Sequence, residues 1–354
     1  MTNSSVHAVE SEANQLPEMF RKYRTSINTA MRNALTHDSS QVYDMLRYYL
    51  GWVDADGNPT VATEGKFLRP TLCLFACEAS GGSVRQAMPA AVALELIHNF
   101  SLIHDDIQDQ DETRHHRKTL WAVWGTPKAL VAGNVLRAIA DASLMGLVRE
   151  GVEATRALAV VRQLTNAYLA MIEGQYLDLS YEGLGEVGMP QYLDMIARKT
   201  GALIRCAFTM GAIIGSNSDE DLEAFRESGE SLGFLFQIRD DILGVWGEEE
   251  TTGKPVGADI IRKKNSFPVV YAMSASEGDD LRQLRDIYSK EKVSESDAGI
   301  VLTKMDSLQT RRHARALALE HCGRAREALA GIEMSGDART QIDELLQFLL
   351  DREH

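Results

Sequence analysis

The sequence predicts an all-α protein, and three observations support that prediction. The long segments 127–149, 153–180, 190–214 and 218–246 are rich in good helix formers such as Ala, Leu, Met, Glu and Arg. Alternating β-branched runs bounded by turn residues, the pattern of strands, are scarce. Only 8 prolines occur, so long helices can run without interruption. We expect one helical domain over residues 16–354, after a flexible leader at 1–15.

The bulk composition narrows the function classes. The net charge is −14 at pH 7, and such an acidic surface repels nucleic acid. By inspection, no apolar stretch approaches the ~20 residues of a membrane helix, and the polar N-terminus lacks an apolar signal region. The four cysteines show no zinc spacing and suit buried residues in a reducing compartment. We expect a cytoplasmic enzyme with no nucleic-acid partner and no transmembrane segment.

A first carboxylate cluster follows the very apolar stretch Ala90–His104. Asp105 and Asp109 are four residues apart, so on a helix both carboxylates lie on one face, with β-carbons ~6 Å apart. Their mutual repulsion and the helix dipole both disfavour this arrangement unless a cation binds. Oxygen ligands at this spacing favour a hard ion such as Mg²⁺. A solvated acidic loop is an equal alternative for this cluster taken alone.

A second carboxylate cluster, Asp240 and Asp241, also ends an apolar helical stretch. Gln237 lies three residues before Asp240, so both side chains can face one cavity. One Asp-Asp pair is weak evidence, whereas two pairs at the ends of buried helices form a natural clamp for metal ions and an anionic ligand. Two unrelated acidic helix ends remain the less favoured alternative.

Basic residues occur near both clusters. A diphosphate needs metal together with Lys and Arg to neutralise it, although each basic residue alone is more often a solvated surface charge. Gly253-Lys254-Pro255 does not fit a nucleotide-binding P-loop, because Pro255 replaces the Ser/Thr and no strand precedes it. The candidate diphosphate ligands are Lys66, Arg69, Arg114, His115, Lys199, Lys254 and Lys264.

From about Gly65 to Pro268, these motifs resemble the trans-isoprenyl diphosphate synthases, such as farnesyl and geranylgeranyl diphosphate synthases. The segment 98–109 is similar to the family's first aspartate-rich motif, and Phe236–Asp241 is similar to the second. Gly65–Pro70 resembles the upstream basic motif, and Gly174–Asp178 matches the central Gly-Gln-x-x-Asp. The resemblance implies an all-helical bundle around a deep apolar cavity, usually a homodimer.

The resemblance also implies roles for individual residues. It assigns isopentenyl diphosphate binding to Lys66, Arg69 and His98, with His115 at a further position of this kind. Allylic diphosphate binding falls to Arg114, Lys199, Lys254 and Lys264. The side chains beside the developing allylic cation are Lys199, Thr200 and Gln237. Three magnesium ions are implied, with Asp105, Asp109 and Asp240 as ligands.

Three positions depart from the family pattern. His115 stands where a second arginine is usual, which weakens the expected affinity for isopentenyl diphosphate. Lys118 replaces a proline, and Gly244 stands at the last aspartate of the second motif. We expect the third metal to survive, because Asp240 is its main ligand.

The expected reaction joins two prenyl diphosphates. Loss of the allylic diphosphate leaves a delocalised cation, which the double bond of isopentenyl diphosphate attacks. The departed diphosphate is the expected base. Phe100 lies five residues before Asp105, ~7.5 Å along the helix, and Ser101 beside it is small. By resemblance, Phe100 suggests a geranylgeranyl (C20) or farnesyl (C15) product; ordinary core packing of Phe100 is an almost equal alternative.

Two other functions fit parts of the sequence. A class I terpene cyclase shares the fold and metal chemistry, and His115 favours it, but it would not need Lys66, Arg69 and His98. A non-catalytic partner subunit should have lost metal ligands, yet Asp105, Asp109 and Asp240 are all present.

Overall fold

The computed structural model describes residues 16–35, 40–60, 65–115, 117–182, 187–247 and 255–351. Its regular structure is almost entirely helical, so the all-α prediction is confirmed. The leader predicted at 1–15 falls outside the described residues. Contacts within the chain group into two compact units: Met1–Thr165 with Ala207–Leu222 (unit 1), and Asn166–Cys206 with Glu223–His354 (unit 2). The single domain predicted over 16–354 stays a prediction.

The first part of unit 1 is a succession of helices interrupted by one short hairpin. Its elements in chain order are α1 (Glu18–Ala34), α2 (Gln41–Tyr49), α3 (Leu68–Ala79), α4 (Val84–Gln108), β1 (Thr113–Arg114), β2 (Arg117–Lys118), α5 (Leu120–Trp124), α6 (Thr126–Leu144) and α7 (Gly146–Arg149). The strands β1 and β2 pair antiparallel.

Helix α4 is the central element of unit 1. It begins with a capping box, in which the Ser83 hydroxyl accepts a hydrogen bond from the Gln86 N–H and the Gln86 amide oxygen accepts one from the Ser83 N–H. It packs against α3 and α6. Its buried residues lie on every face, as the apolar run Ala90–His104 predicts. This packing fixes the helix end that carries the first carboxylate cluster.

Three further helices belong partly to each unit in sequence. These are α8 (Ala154–Tyr181), α10 (Ala202–Gly215) and α11 (Asp219–Trp246). The unit 1 part of α10 meets α3 at very short range, because a Cβ on Gly211 would lie 2.7 Å from the Ala76 Cβ and 2.9 Å from the Cys77 nitrogen. Only glycine allows the two helices to approach this closely.

Unit 2 contains the remaining helices. In chain order they are α9 (Met189–Ile196), a π-helical segment (Ala197–Gly201), α12 (Ala258–Ile261), α13 (Phe267–Ala275), α14 (Gly278–Ser289), α15 (Glu295–Ser307), α16 (Thr310–Ala328) and α17 (Gly336–Asp351). A buried apolar cluster of α11 to α15 includes Val245, Ile260, Val269, Leu284 and Met305. This cluster anchors α12 beside the C-terminal end of α11.

One apolar segment tests the prediction that no stretch is long enough to cross a membrane. Thr126–Arg149 does meet the requirement by length and composition, with a mean hydropathy of 1.4 over its best window. Core helices of soluble proteins also pass this test, so a single such helix is weak evidence for a span. Arg137 and Asp141 interrupt the segment as an ion pair with an N–O distance of 2.9 Å.

Candidate active site

The first carboxylate cluster lies at the C-terminal end of α4. The helix ends at Gln108, and the Asp109 N–H still donates to the Asp105 carbonyl over 2.8 Å, one turn apart. Asp105 is partly buried and Asp109 is exposed. The structure therefore gives these two carboxylates the helical spacing that the sequence predicts.

The neighbouring Asp106 has a different environment. It is buried, and its Oδ1 accepts a hydrogen bond from the Arg114 Nε over 2.7 Å. Burial raises the pKa of Asp106 to about 6, although the charge of Arg114 opposes the shift. This ion pair holds Arg114, a predicted ligand of the allylic diphosphate, against the end of α4.

A buried basic group lies between α3 and α4. Arg69 is 9% exposed, and its Nε donates no hydrogen bond within the described residues. Burial lowers the pKa of Arg69 to about 10, against the charge of the buried Glu95. Burial also lowers the pKa of His98 well below its ordinary value, and the charges of Arg69 and Arg114 lower it further. His98 is therefore neutral at pH 7.

Lys66 and His115 lie in less buried positions. Both side chains are exposed, Lys66 just before α3 and His115 in the turn between β1 and β2. His115 has a φ of 48°, and Phe67, next to Lys66, has a φ of 51°. Positive φ values are unusual for residues other than glycine, and they cluster at functional sites.

Phe100 lies in the hydrophobic core of unit 1. It is 7% exposed, and its ring meets the edge of the His104 ring at a centroid distance of 4.6 Å. The Ser101 hydroxyl donates to the His98 carbonyl over 2.8 Å. Both residues lie in the last turns of α4 before Asp105, as the sequence predicts.

In unit 2, the π-helical segment carries Lys199 and Thr200. Single π turns insert an extra residue into a helix and occur frequently at functional sites. The Lys199 ammonium pairs with the Asp178 carboxylate of α8. A Cβ on Gly174 would lie 2.7 Å from the Lys199 Cα, so the glycine allows α8 to approach the segment. The central Gly-Gln-x-x-Asp motif thus positions Lys199.

A hydrogen-bonded chain connects the π-helical segment with α11. The Thr200 hydroxyl donates to the Gln237 Oε1 over 2.6 Å, and the Gln237 Nε2 donates to the Asp241 Oδ1 over 2.8 Å. The Asp241 Oδ2 accepts from the Tyr192 hydroxyl at 2.6 Å and from the Phe267 N–H at 2.7 Å. Burial nevertheless raises the pKa of Asp241 to about 6.

Lys264 stands among several carboxylates of unit 2. Its Nζ lies 3.5 Å from the Asp259 Oδ2 and 3.8 Å from the Asp241 Oδ1. Burial lowers the pKa of Lys264, but the charges of Asp259, Asp241 and Asp240 outweigh burial and raise it. Lys264 therefore stays charged. Lys254, a predicted ligand of the same diphosphate, lies outside the described residues.

The donor set fits a hard divalent ion. Among the described residues, no group of three His, Cys, Asp or Glu side chains is arranged to hold a metal on protein ligands alone. Magnesium commonly binds through one or two carboxylates together with substrate phosphates and water. The buried Asp106 Oδ2 and Asp259 Oδ2 accept no hydrogen bond within the described residues, which is consistent with a cation nearby.

Several residues of these two groups escape prediction from sequence. Glu95, Asp178, Tyr192 and Asp259 contact predicted site residues, but only Asp178 lies in a motif that we matched. Glu95 lies 26 residues from Arg69, and Tyr192 lies 49 residues from Asp241, so local spacing gives no indication of these pairs. Asp259 is only five residues from Lys264, but it belongs to no motif that marks it as a site residue.

The chain is similar to known proteins in both sequence and fold. The family described as polyprenyl synthetase matches residues 52–305. A geranylgeranyl diphosphate synthase from Mycobacterium tuberculosis is 38% identical over 73% of this chain and 72% of its own. A (2E,6E)-farnesyl diphosphate synthase from the same species is 33% identical over 87% and 86% of the two chains. The crystal structure of a polyprenyl synthetase from Streptomyces coelicolor A3(2) has a TM-score of 0.86 at 33% identity and covers 94% of this chain and 98% of its own.

Proposed function

Because this chain belongs to the polyprenyl synthetase family and elongates prenyl diphosphates, we propose that it condenses isopentenyl diphosphate with an allylic diphosphate, with magnesium as cofactor. The names of the relatives favour chain elongation over terpene cyclisation and over a non-catalytic subunit. The proposal also covers the residues that perform the reaction.

One observation supports isopentenyl diphosphate as the second substrate. Arg69 is a buried cation whose Nε has no hydrogen-bond acceptor within the described residues. A buried guanidinium N–H without an acceptor is costly unless an anionic ligand satisfies it. A cyclase has one diphosphate to hold, whereas a condensing enzyme needs this second anion site in addition to its carboxylate clusters.

The proposed roles follow the two groups of residues. In unit 1, Lys66, Arg69 and the neutral His98 hold isopentenyl diphosphate, and the exposed His115 contributes a weaker contact. Arg114, which Asp106 orients, binds the allylic diphosphate. In unit 2, Lys199 and Lys264 are the proposed ligands of an allylic diphosphate, together with Lys254. Arginine and lysine suit this task because they donate charge-assisted hydrogen bonds to phosphate oxygens.

Thr200 and Gln237 act on the cation rather than on the diphosphate. The Thr200 hydroxyl donates to the Gln237 Oε1, and the Gln237 amide in turn donates to Asp241. This chain fixes both side chains, so their oxygen dipoles can stabilise positive charge without reorganising during the reaction. No general base is assigned. The released diphosphate takes the proton that leaves C2 of the isopentenyl unit, and the electrons of that C–H bond form the new double bond.

The proposed cofactor is Mg²⁺, three ions with Asp105, Asp109 and Asp240 as protein ligands. Bound magnesium would supply Lewis-acid stabilisation of the departing diphosphate. Asp106 and Asp241 hold Arg114, Tyr192 and Gln237 in the fold, so we assign them orienting roles.

The proposed product is geranylgeranyl or farnesyl diphosphate. The relatives that support this choice are a geranylgeranyl diphosphate synthase and a farnesyl diphosphate synthase. Phe100, buried five residues before Asp105, is the proposed steric limit on chain length, and the small Ser101 lies beside it.

The proposed assembly is a homodimer in the cytoplasm. Within unit 1, α6, α7 and α8 expose large apolar side chains, among them Val131 at 55%, Val148 at 54% and Leu158 at 69%. Exposed apolar residues on neighbouring helices are typical of a protein interface. The four free, buried cysteines suit a reducing compartment.

Product analysis tests this function directly. The purified chain is incubated with isopentenyl diphosphate and each of the dimethylallyl, geranyl and farnesyl diphosphates, with Mg²⁺ or with EDTA. We expect C15 or C20 diphosphate only with Mg²⁺. Hydrocarbon released from geranylgeranyl diphosphate alone would favour the cyclase, and inactivity of the purified chain under all conditions would favour the partner subunit.

A further inference from the structure

Gly244 stands where the second motif usually has its third aspartate. The carboxylate of another residue fills the space next to the Gly244 Cα. A Cβ built on Gly244 would lie 2.5 Å from the Asp259 Cγ and 2.9 Å from its Oδ1, with the Oδ2 closer still. Real Cβ atoms do not approach other atoms this closely. The Asp259 carboxylate therefore fills the volume in which a side chain at position 244 would begin.

That volume belongs to the face of α11 that carries Asp240. Gly244 follows Asp240 by four residues, and side chains at this spacing lie on one helix face with β-carbons ~6 Å apart. An aspartate at 244 would project from this same point. Asp259, which comes from the short helix α12, delivers its carboxylate to the position that α11 itself leaves empty.

Asp259 is buried and incompletely satisfied. It is 6% exposed, and its Oδ2 accepts no hydrogen bond within the described residues. The Lys264 Nζ is 3.5 Å from this oxygen but also lies 3.8 Å from the Asp241 Oδ1. One ammonium thus faces two buried carboxylates, with Asp240 nearby as a third. Asp241 has three hydrogen-bond donors in the fold, so the Asp259 Oδ2 is the buried carboxylate oxygen of this group that a further cation would stabilise.

We propose that Asp259 supplies the third carboxylate of the second aspartate group and helps to hold the divalent ion assigned to Asp240. The inference rests on the proposed magnesium dependence. It makes Gly244 a requirement of this arrangement, because any side chain at 244 would displace the Asp259 carboxylate. Asp259 is in this view a metal-site residue contributed by a different helix.

The test measures Mg²⁺ binding rather than turnover. Inorganic diphosphate serves as the probe. Mg²⁺ is titrated into the complex of diphosphate with the full-length protein, and isothermal titration calorimetry gives the Mg²⁺ affinity. We expect Asp259→Asn to weaken this affinity about 10-fold or more, the usual effect of removing a group that supports a metal ligand. Asp280→Asn is the matched control, because it removes an exposed, ion-paired carboxylate of unit 2, and it should bind Mg²⁺ as the parent protein does.

Moving the carboxylate back to α11 distinguishes a role in metal binding from a role in folding alone. Asp259→Gly should weaken Mg²⁺ binding, and the double variant Gly244→Asp with Asp259→Gly should restore it to within about 3-fold of the parent. Thermal melting identifies any variant that does not fold, and Asp259→Asn, which changes no volume, then decides the question.

Three results would overturn the inference. Parental Mg²⁺ affinity in Asp259→Asn is the first, and failure of the double variant to bind better than Asp259→Gly is the second. The third is a loss confined to diphosphate binding without metal, which would mean that Asp259 only supports Lys264. If the parent protein itself binds no Mg²⁺ in the presence of diphosphate, the proposed cofactor fails as well, and the two failures are thereby distinguished.

Discussion

Individual buried charges organise both groups of site residues. Arg69 and Glu95 are buried in unit 1, and Asp241 is buried in unit 2, where three donors hold its carboxylate. Unpaired buried charge is expensive, so such residues persist where neighbours or a ligand compensate them. The Asp241 carboxylate has its partners in the fold, whereas the Arg69 Nε has none within the described residues.

Replacing Arg69 tests which substrate supplies the hydrogen-bond acceptor of its Nε. We expect Arg69→Ala to raise the KM for isopentenyl diphosphate by about 10- to 150-fold, the loss of one charge-assisted hydrogen bond of ~1.5–3 kcal/mol. The KM for the allylic substrate should change little. Steady-state kinetics with each substrate varied in turn measures both values. The exposed Arg85, replaced by Ala, is the control; equal effects on both substrates would contradict the assignment.

Phe100 should limit the length of the product. We expect Phe100→Ala to lengthen the main product by at least one isoprene unit, because removing the ring opens space beside α4, five residues before Asp105. Chromatography of the dephosphorylated products gives the chain lengths. Phe75→Leu changes another buried ring of unit 1 and should leave the product unchanged. An unaltered product in Phe100→Ala would remove Phe100 from the mechanism.

At the scale of helices, close approach to a glycine sets the position of Lys199. We expect Gly174→Ala to destabilise the protein by ~1–3 kcal/mol, because the new Cβ would press on the backbone of residues 198 and 199. The kcat should fall about 100-fold as Lys199 shifts. Urea denaturation and kinetics measure the two effects.

A second helix glycine provides the matched control for that substitution. Gly323 lies in α16, and nothing stands within 4 Å of a Cβ built on it. Gly323→Ala should stabilise the protein by up to ~1 kcal/mol through helix propensity alone. If Gly174→Ala behaved in the same way, the close approach would not matter for stability or turnover.

The start of α15 predicts a pH dependence of stability. Hydrogen bonds from Lys290 and from the capping Ser294 lower the pKa of Asp297 from 3.8 to about 2. The folded state therefore binds fewer protons than the unfolded state in this interval, and stability falls as pH drops from about 4 to 2. Asp297→Asn should lower the melting temperature by about 1–2 °C at pH 7 and lose this difference near pH 2.

Melting curves measured across that pH range check the prediction. Glu291→Gln, which changes an exposed carboxylate in the preceding loop, should leave the curve unaltered at every pH. A constant difference between Asp297→Asn and the parent from pH 7 to pH 2 would show that charge on Asp297 is not responsible.

Sequence patterns predict the helices, and they select several candidate site residues, because the information in such patterns is local. Asp105 and Asp109 are one turn apart, and the Lys199-Thr200 pair is contiguous, so spacing and motif select them as candidates. Asp259 and Tyr192 become visible only when α12 and α9 contact α11. The π-helical turn at 197–201 lies against Gly174 of α8, a contact that no helix propensity encodes.

The whole molecule is acidic, with a net charge of −14, so the basic residues of the candidate site provide positive charge only locally. Lys264 stays charged because several carboxylates surround it, and Arg114 is paired with Asp106. General attraction to anionic surfaces is therefore weak, and the proposed diphosphate substrates depend on these local cations.

Self-association should depend on the exposed apolar residues of unit 1. We expect Leu158→Lys to shift the protein from dimer to monomer, because burying a lysine at an interface is unfavourable. Sedimentation velocity measures the mass. Leu319→Lys alters a similarly exposed leucine of unit 2, at 60% exposure, and should leave the dimer intact. A parent protein that sediments as a monomer would contradict the proposal.

The π turn also has a consequence for how this protein can change over evolutionary time. One inserted residue rotates everything that follows it in a continuous helix by about 100° relative to the preceding turns. Losing a single codon between 197 and 201 would therefore redirect Lys199, Thr200 and the whole of α10 together. Substitutions can adjust this enzyme gradually, whereas a deletion here would have to be compensated in one step.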